Sequence, residues 1–149
     1  MSRPQTVQGL TPEATSLFHR VKSRILGAAL TIDFGGFPIG ARGYDRVFPA
    51  EYPEGYLEVE FMHAVRRDIH DTAGELGVKI KPGYFCEFRE FRTEESDGEL
   101  DEVYEDCACV LPRGHHLHVV YRRTIRPTFR HLDVIGVVLK DTEGRKVLD

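Results

Sequence analysis

Four side chains with soft donor atoms stand close together in the second half of the chain: Cys107 and Cys109, then His116 and His118. Thiolates and imidazoles are the ligands that zinc takes most readily. The members of each pair are two residues apart, so on strands each pair shares one face. An even-length turn around Pro112-Arg113 sets Cys107 opposite His118 and Cys109 opposite His116. Moving the turn to Arg113-Gly114 changes the partners but keeps the shared face. The complementary face then holds Ala108, Val110, Leu117, Val119 and Tyr121, a coherent apolar layer. Four neighbours on one pleated face are nearly coplanar, however, whereas structural zinc demands a tetrahedron and usually employs tight Cys-x-x-Cys turns. The expectation is therefore no metal and no cofactor, with these four residues paired in a packing layer or a subunit contact.

A second set with acid–base character is Glu60, His63 and His70, accompanied by Arg67 and Asp71. Glu60 and His63 are three residues apart and meet on a helix. A histidine titrating near neutrality is a suitable general base. His63 and His70 lie two helical turns apart, too far to share one ion. A solvated helix face contains the same residues without any chemistry. The glycines between residues 35 and 43 do not form a phosphate-binding loop, because no Gly-Lys-Ser or Gly-Lys-Thr follows them.

Charge reverses sharply between two neighbouring segments. Residues 87–106 carry ten acids against Arg89 and Arg92 only, and residues 113–131 carry no acid at all. The basic segment supplies a candidate binding set: Arg113, His116, His118, Arg122, Arg123, Arg126 and Arg130. With Tyr121 and Phe129 interleaved, such a run suits phosphates and stacked bases. The net charge of −4 disfavours a general nucleic-acid binder. Opposite segments can also pair across a sheet, or present two surfaces to protein partners.

These residues need elements to position them. Thr11 as N-cap, Pro12 in the first turn and Leu17, Val21, Ile25 and Ala28 at helical spacing predict a helix over about 11–30. Ala29 to Phe34 reads as a strand entering a glycine-rich loop, with Tyr44 to Phe48 as its partner. Leu57, Phe61, Ala64, Val65, Ile69, Ala73 and Leu76 form one face of a second helix over about 54–76, stopped by Gly77. From Val78 the pattern changes to strands at 78–81, 84–92, 103–111, 115–125, 133–140 and 146–148, separated by turn residues. The fold class is α+β: one domain over 1–149, with two helices packed on an antiparallel sheet of about five to six strands formed mainly by 78–149.

Phe48-Pro49, Pro53, Gly55, Leu57, Val59 and Glu60 resemble the start of the central helix in hotdog-fold hydroxyacyl dehydratases. The likeness covers about fourteen residues. In that family a His precedes the Phe-Pro pair and a Glu near Glu60 completes a dyad. Val47 stands at the His position here, with spacing one residue short. The resemblance implies a hotdog-like sheet around the helix and an acid–base role for Glu60.

An apolar fraction of 41% and a charged fraction of 30% describe an ordinary globular chain. No apolar run is long enough to span a membrane, and Met1 to Gly9 lack the apolar centre of a signal peptide. Three cysteines, an odd number, fit a reducing compartment, hence the cytoplasm or a particle assembled inside the cell. The function expected is a non-enzymatic interaction or assembly subunit that forms homo-oligomers or docks other protein subunits through its segregated charges. The alternatives are a small-molecule enzyme or binder with a pocket between helices and sheet, and a nucleic-acid module using the basic strand.

Overall fold

The computed structural model describes residues 10–33, 38–42, 57–83, 92–96 and 99–149. Helix α1 spans Pro12–Ile25 and helix α2 spans Leu57–Leu76. The strands are β1 (Ala29–Asp33), β2 (Pro38–Arg42), β3 (Lys81–Pro82), β4 (Arg92–Ser96), β5 (Glu99–Val110), β6 (His116–Ile125), β7 (Phe129–Lys140) and β8 (Lys146–Leu148). They form one antiparallel sheet with the main order β2-β1-β7-β6-β5-β3; β4 also pairs with β5, and β8 with β7. Two helices on an antiparallel sheet make the α+β architecture expected from the sequence.

Thr11 caps α1, its hydroxyl accepting from the Ala14 amide at 3.1 Å, and Pro12 fills the first turn. The helix ends at Ile25, short of the predicted boundary. Leu26 is already extended and Gly27 adopts a φ of 84°. That turn frees Ala29–Asp33 to pair with β7, so the sheet gains two strands from the first third of the chain. The partner of β1 is Pro38–Arg42, upstream of the predicted Tyr44–Phe48, which lies outside the described residues. Helix α2 stops as expected: Gly77 has a φ of 69°, and the Val78 amide donates to the Ala73 carbonyl at 2.9 Å.

Several strand boundaries move outward. β5 begins at Glu99 and β7 at Phe129, both earlier than periodicity suggests. Of the predicted strand 78–81 only Lys81 pairs, together with Pro82 from the expected turn, and residues 84–91 lie outside the described part. Residues 93–96, expected between strands, form β4 together with Arg92, the predicted end of strand 84–92.

One core joins both layers. Leu17, Phe18, Val21 and Ile25 of α1 and Leu57, Phe61, Val65 and Ile69 of α2 pack with Leu30, Leu117, Val119, Tyr121, Leu132, Val134, Val137 and Leu139 from the sheet. Arg24 fastens the helices together, donating to Glu75 at 2.6 Å and to Thr72 at 2.8 Å. The hotdog comparison implied a helix enclosed by the sheet. Instead α2 keeps one side in solvent, with Val59, His63, Arg67, His70 and Asp71 exposed. Phe48 to Tyr56, which carry most of that likeness, lie outside the described residues. Among the described residues no helix is long and apolar enough to cross a membrane.

A buried ion pair joins α2 to the sheet. Arg66 Nε donates to Asp106 Oδ2 at 2.8 Å, and Nη2 reaches both Asp106 Oδ1 and the Cys107 carbonyl. Asp106 is only 4% exposed, so removing its cation leaves an uncompensated buried charge. Exposed pairs such as Arg145–Asp141 contribute little by comparison. Arg66→Ala is therefore expected to lower unfolding free energy by about 3 kcal/mol, and Arg145→Ala by less than about 0.5 kcal/mol. Urea denaturation of the two variants decides this; equal losses would show that the buried pair has no special weight.

Candidate metal centre

β5 and β6 run in simple register from Leu100↔Ile125 to Cys107↔His118, then the register slips by one residue. Beyond the slip Cys109 faces Leu117 and Val110 faces His116. A β-bulge at this point turns the chain and swaps the faces that follow. Cys107 opposes His118, as in one of the two registers open to the sequence, but the Cys109–His116 pair of that register does not form. Cys109 takes the core-facing place expected for Val110 and joins Ala108, Leu117 and Val119 under the helices. Burial, together with Cys107 nearby, pushes its thiol pKa up to about 12, so it stays protonated.

The bulge thus reduces the predicted group of four to three on the face away from the helices. The Cys107 sulfur and one ring nitrogen from each of His116 and His118 all lie within 4.8 Å of one another. The two imidazoles stand nearly parallel, with centroids 6.1 Å apart and planes 24° apart. Cys107 and His118 are fully buried, whereas His116 is half-buried. The Cys107 thiol donates weakly to the Cys109 carbonyl at 3.8 Å across the bulge.

Behind the imidazoles stands an ion pair. Lys140 Nζ lies 2.7 Å from Glu105 Oε2, and that same oxygen lies 3.5 Å from His118 Nδ1. Proximity to a carboxylate raises a histidine pKa, yet burial and the Lys140 ammonium outweigh it here and push His118 down to about 4. His118 is therefore neutral at pH 7, and its contact with Glu105 is not an ion pair. A neutral imidazole carries one proton, and the carboxylate favours placing it on Nδ1, which puts the ring's lone pair on Nε2. Burial also lowers the pKa of His116, with His115 adding to the effect.

The other sequence candidates sit elsewhere. His63 and His70 are exposed and Glu60 is half-buried, all outside the buried stripe of α2. The basic residues are largely answered by the acidic ones. Arg123 meets Glu58 at 2.9 Å and Glu102 at 3.5 Å, and Arg126 meets Asp101 at 3.1 Å. Arg122 meets Asp133 at 3.1 Å, and Arg130 meets Glu58 at 3.5 Å. Glu102 and Arg123 are direct cross-strand partners, as are Arg122 and Asp133. Arg113 is exposed in the β5–β6 turn, with a φ of 73°. Of the acidic segment, Glu102 and Asp101 are the described residues that pair with the basic one; Glu58 and Asp133, which lie outside it, answer the other arginines. The residues that sequence reasoning missed are Glu105 and Lys140, since nothing in composition marks a carboxylate and an amine that meet across three strands.

No protein-family model, no curated protein and no solved structure matches this chain.

The depressed pKa of His118 has a thermodynamic consequence. In the unfolded chain the imidazole titrates near its usual 6.5, so below that pH the unfolded state binds the extra proton. Stability should fall as pH drops from about 6.5 towards 4, by about 3 kcal/mol in total from this group. Chemical denaturation of metal-free protein at pH 7 and pH 4.5 measures the loss. His118→Gln should remove most of the difference, and an unchanged pH dependence in that variant would refute the assignment.

Proposed function

We propose that this protein is a metal-binding domain in which Cys107, His116 and His118 hold a zinc-class divalent ion on the outer face of the sheet. The observation that supports it is the convergence of one sulfur and two nitrogen donors within 4.8 Å. The coplanarity that argues against four ligands on a pleated face does not argue against three. Three donors form the base of a tetrahedron, and the ion sits above their plane. With zinc–sulfur and zinc–nitrogen bonds of about 2.3 and 2.0 Å, tetrahedral donors lie roughly 3.3–3.7 Å apart. To reach that spacing the group would have to close by about an ångström.

The chemistry of the donors fits as well. A mixed sulfur–nitrogen set suits zinc over magnesium or calcium, which take oxygen ligands. A neutral His118 needs no deprotonation to bind. Glu105 stands behind it as the carboxylate that commonly orients a ligating histidine. Only Cys107 must release a proton, and the cation itself favours that release.

The test is metal titration of the full chain. One equivalent of zinc should bind and raise thermal stability, as any ligand specific to the native state does. Cobalt in its place should give a thiolate-to-metal charge-transfer band in the near ultraviolet. Cys107→Ser should abolish that band, and His116→Ala or His118→Ala should weaken cobalt binding by at least tenfold. Cys86 lies outside the described residues, and Cys86→Ser controls for its thiol. Absence of a stoichiometric metal, or a band that survives in Cys107→Ser, would refute the proposal.

A further inference from the structure

Given a metal held as proposed above, we infer that its fourth coordination position is an exchangeable site for a small monoanion, hydroxide or a comparable ligand from solvent. Three features of the molecule carry this. The first is the number and placement of the donors. Among the described residues three donor side chains meet at the site, all projecting from one face of β5 and β6. A tetrahedral ion resting on them directs its remaining corner away from the sheet. Closed four-ligand sets are typical of structural zinc, whereas three protein ligands with an open corner are typical of sites that exchange ligands.

The second feature is access. His116 is half-buried while Cys107 and His118 are fully buried. The rim of the site therefore lies at His116, next to its cross-strand neighbour Lys140. A ligand arriving from solvent meets the imidazole edge and the ammonium before it reaches the ion.

The third feature is charge. The ion brings two positive charges and Lys140 one, against the Cys107 thiolate and the Glu105 carboxylate. One positive charge is left over. Among the described residues, Asp106 is matched by Arg66, while Arg145 answers both Asp141 and Glu143 on the solvent-exposed β7–β8 turn. In a partly desolvated site such an excess favours one anionic ligand over neutral water. Lys140 then acts as a positioning residue: it touches Glu105 rather than the ion, and its charge sets the preference for an anion.

Azide titration of the cobalt-loaded protein tests this, at constant ionic strength maintained with perchlorate, which does not coordinate. The visible d–d spectrum should shift saturably with azide while the thiolate band persists and cobalt remains bound. Lys140→Met should weaken azide binding several-fold without loss of cobalt, and Lys140→Arg should restore it. A retained thiolate band with d–d absorption insensitive to azide would overturn the inference while leaving the metal-binding reading intact. An azide response equal in wild type and Lys140→Met would overturn the charge argument. No thiolate band at all would mean that the metal-binding reading itself has failed.

Discussion

The arrangement of this domain's polar centre depends on one irregularity, the bulge at Ala108 in β5. Contacts from both neighbouring elements hold it. From α2, Arg66 donates to the Cys107 carbonyl while pairing with Asp106. From β3, the Gly83 amide donates to the Ala108 carbonyl at 3.0 Å. Gly83 approaches so closely that a Cβ there would lie 1.7 Å from the Cys107 oxygen, so no other residue fits without backbone movement. These bonds occupy backbone groups that an extra residue takes out of regular pairing, and an unpaired buried carbonyl is costly. The bulge then decides which cysteine belongs to the core and which to the outer face. Without it, Cys107 and Cys109, two residues apart, would share one face of the strand.

Charge acts on two scales in this molecule. The pairs among Glu58, Asp101, Glu102, Arg123, Arg126 and Arg130 are partly solvated and lie at 2.9–3.5 Å. Each contributes at most about 1 kcal/mol. One of them, Glu102 with Arg123, is a direct cross-strand pair of β5 and β6 in the observed register. The Arg66–Asp106 pair is buried and scarcely adds net stability relative to an apolar pair, yet breaking it is expensive. Its significance lies in fixing where β5 bends.

Much of this was legible in the residues. The Thr11-Pro12-Glu13 start and the apolar line of α2 locate both helices, and Gly77 locates the stop of the second. The meander from β5 to β7 follows from turn residues between apolar runs, but the turn closes Leu111 on His115, and Cys107 faces His118 only because the bulge shifts the register. The bulge was not legible, because Ala108 carries no local signal; its cause lies in Arg66 and Gly83, distant in sequence. The early start of β5 was hidden for a related reason. Asp101 and Glu102 have poor intrinsic strand preference, and ion pairs to Arg126, just beyond β6, and Arg123 on β6 offset it. The pairing of β1 with β7 was equally hidden, since which edge a strand joins is set by long-range contacts.

The outer face of the sheet breaks the pattern that the rest of the chain obeys. Aliphatic side chains would be the cheaper filling beside Val138, the cross-strand neighbour of His118. Instead the positions hold a thiol, two imidazoles and a lysine–glutamate pair. That choice makes the fold sensitive to acid, because His118 must stay neutral to remain buried. Sequences otherwise consistent at every level tend to depart from local rules where a site must be built. A cation here would reverse the sign of each cost. The thiol becomes a stabilised thiolate, the low proton affinity of His118 becomes an advantage for ligation, and Glu105 gains a positively polarised imidazole to face. The same three groups that burden the metal-free fold would become the means by which a bound ion holds β5 and β6 together.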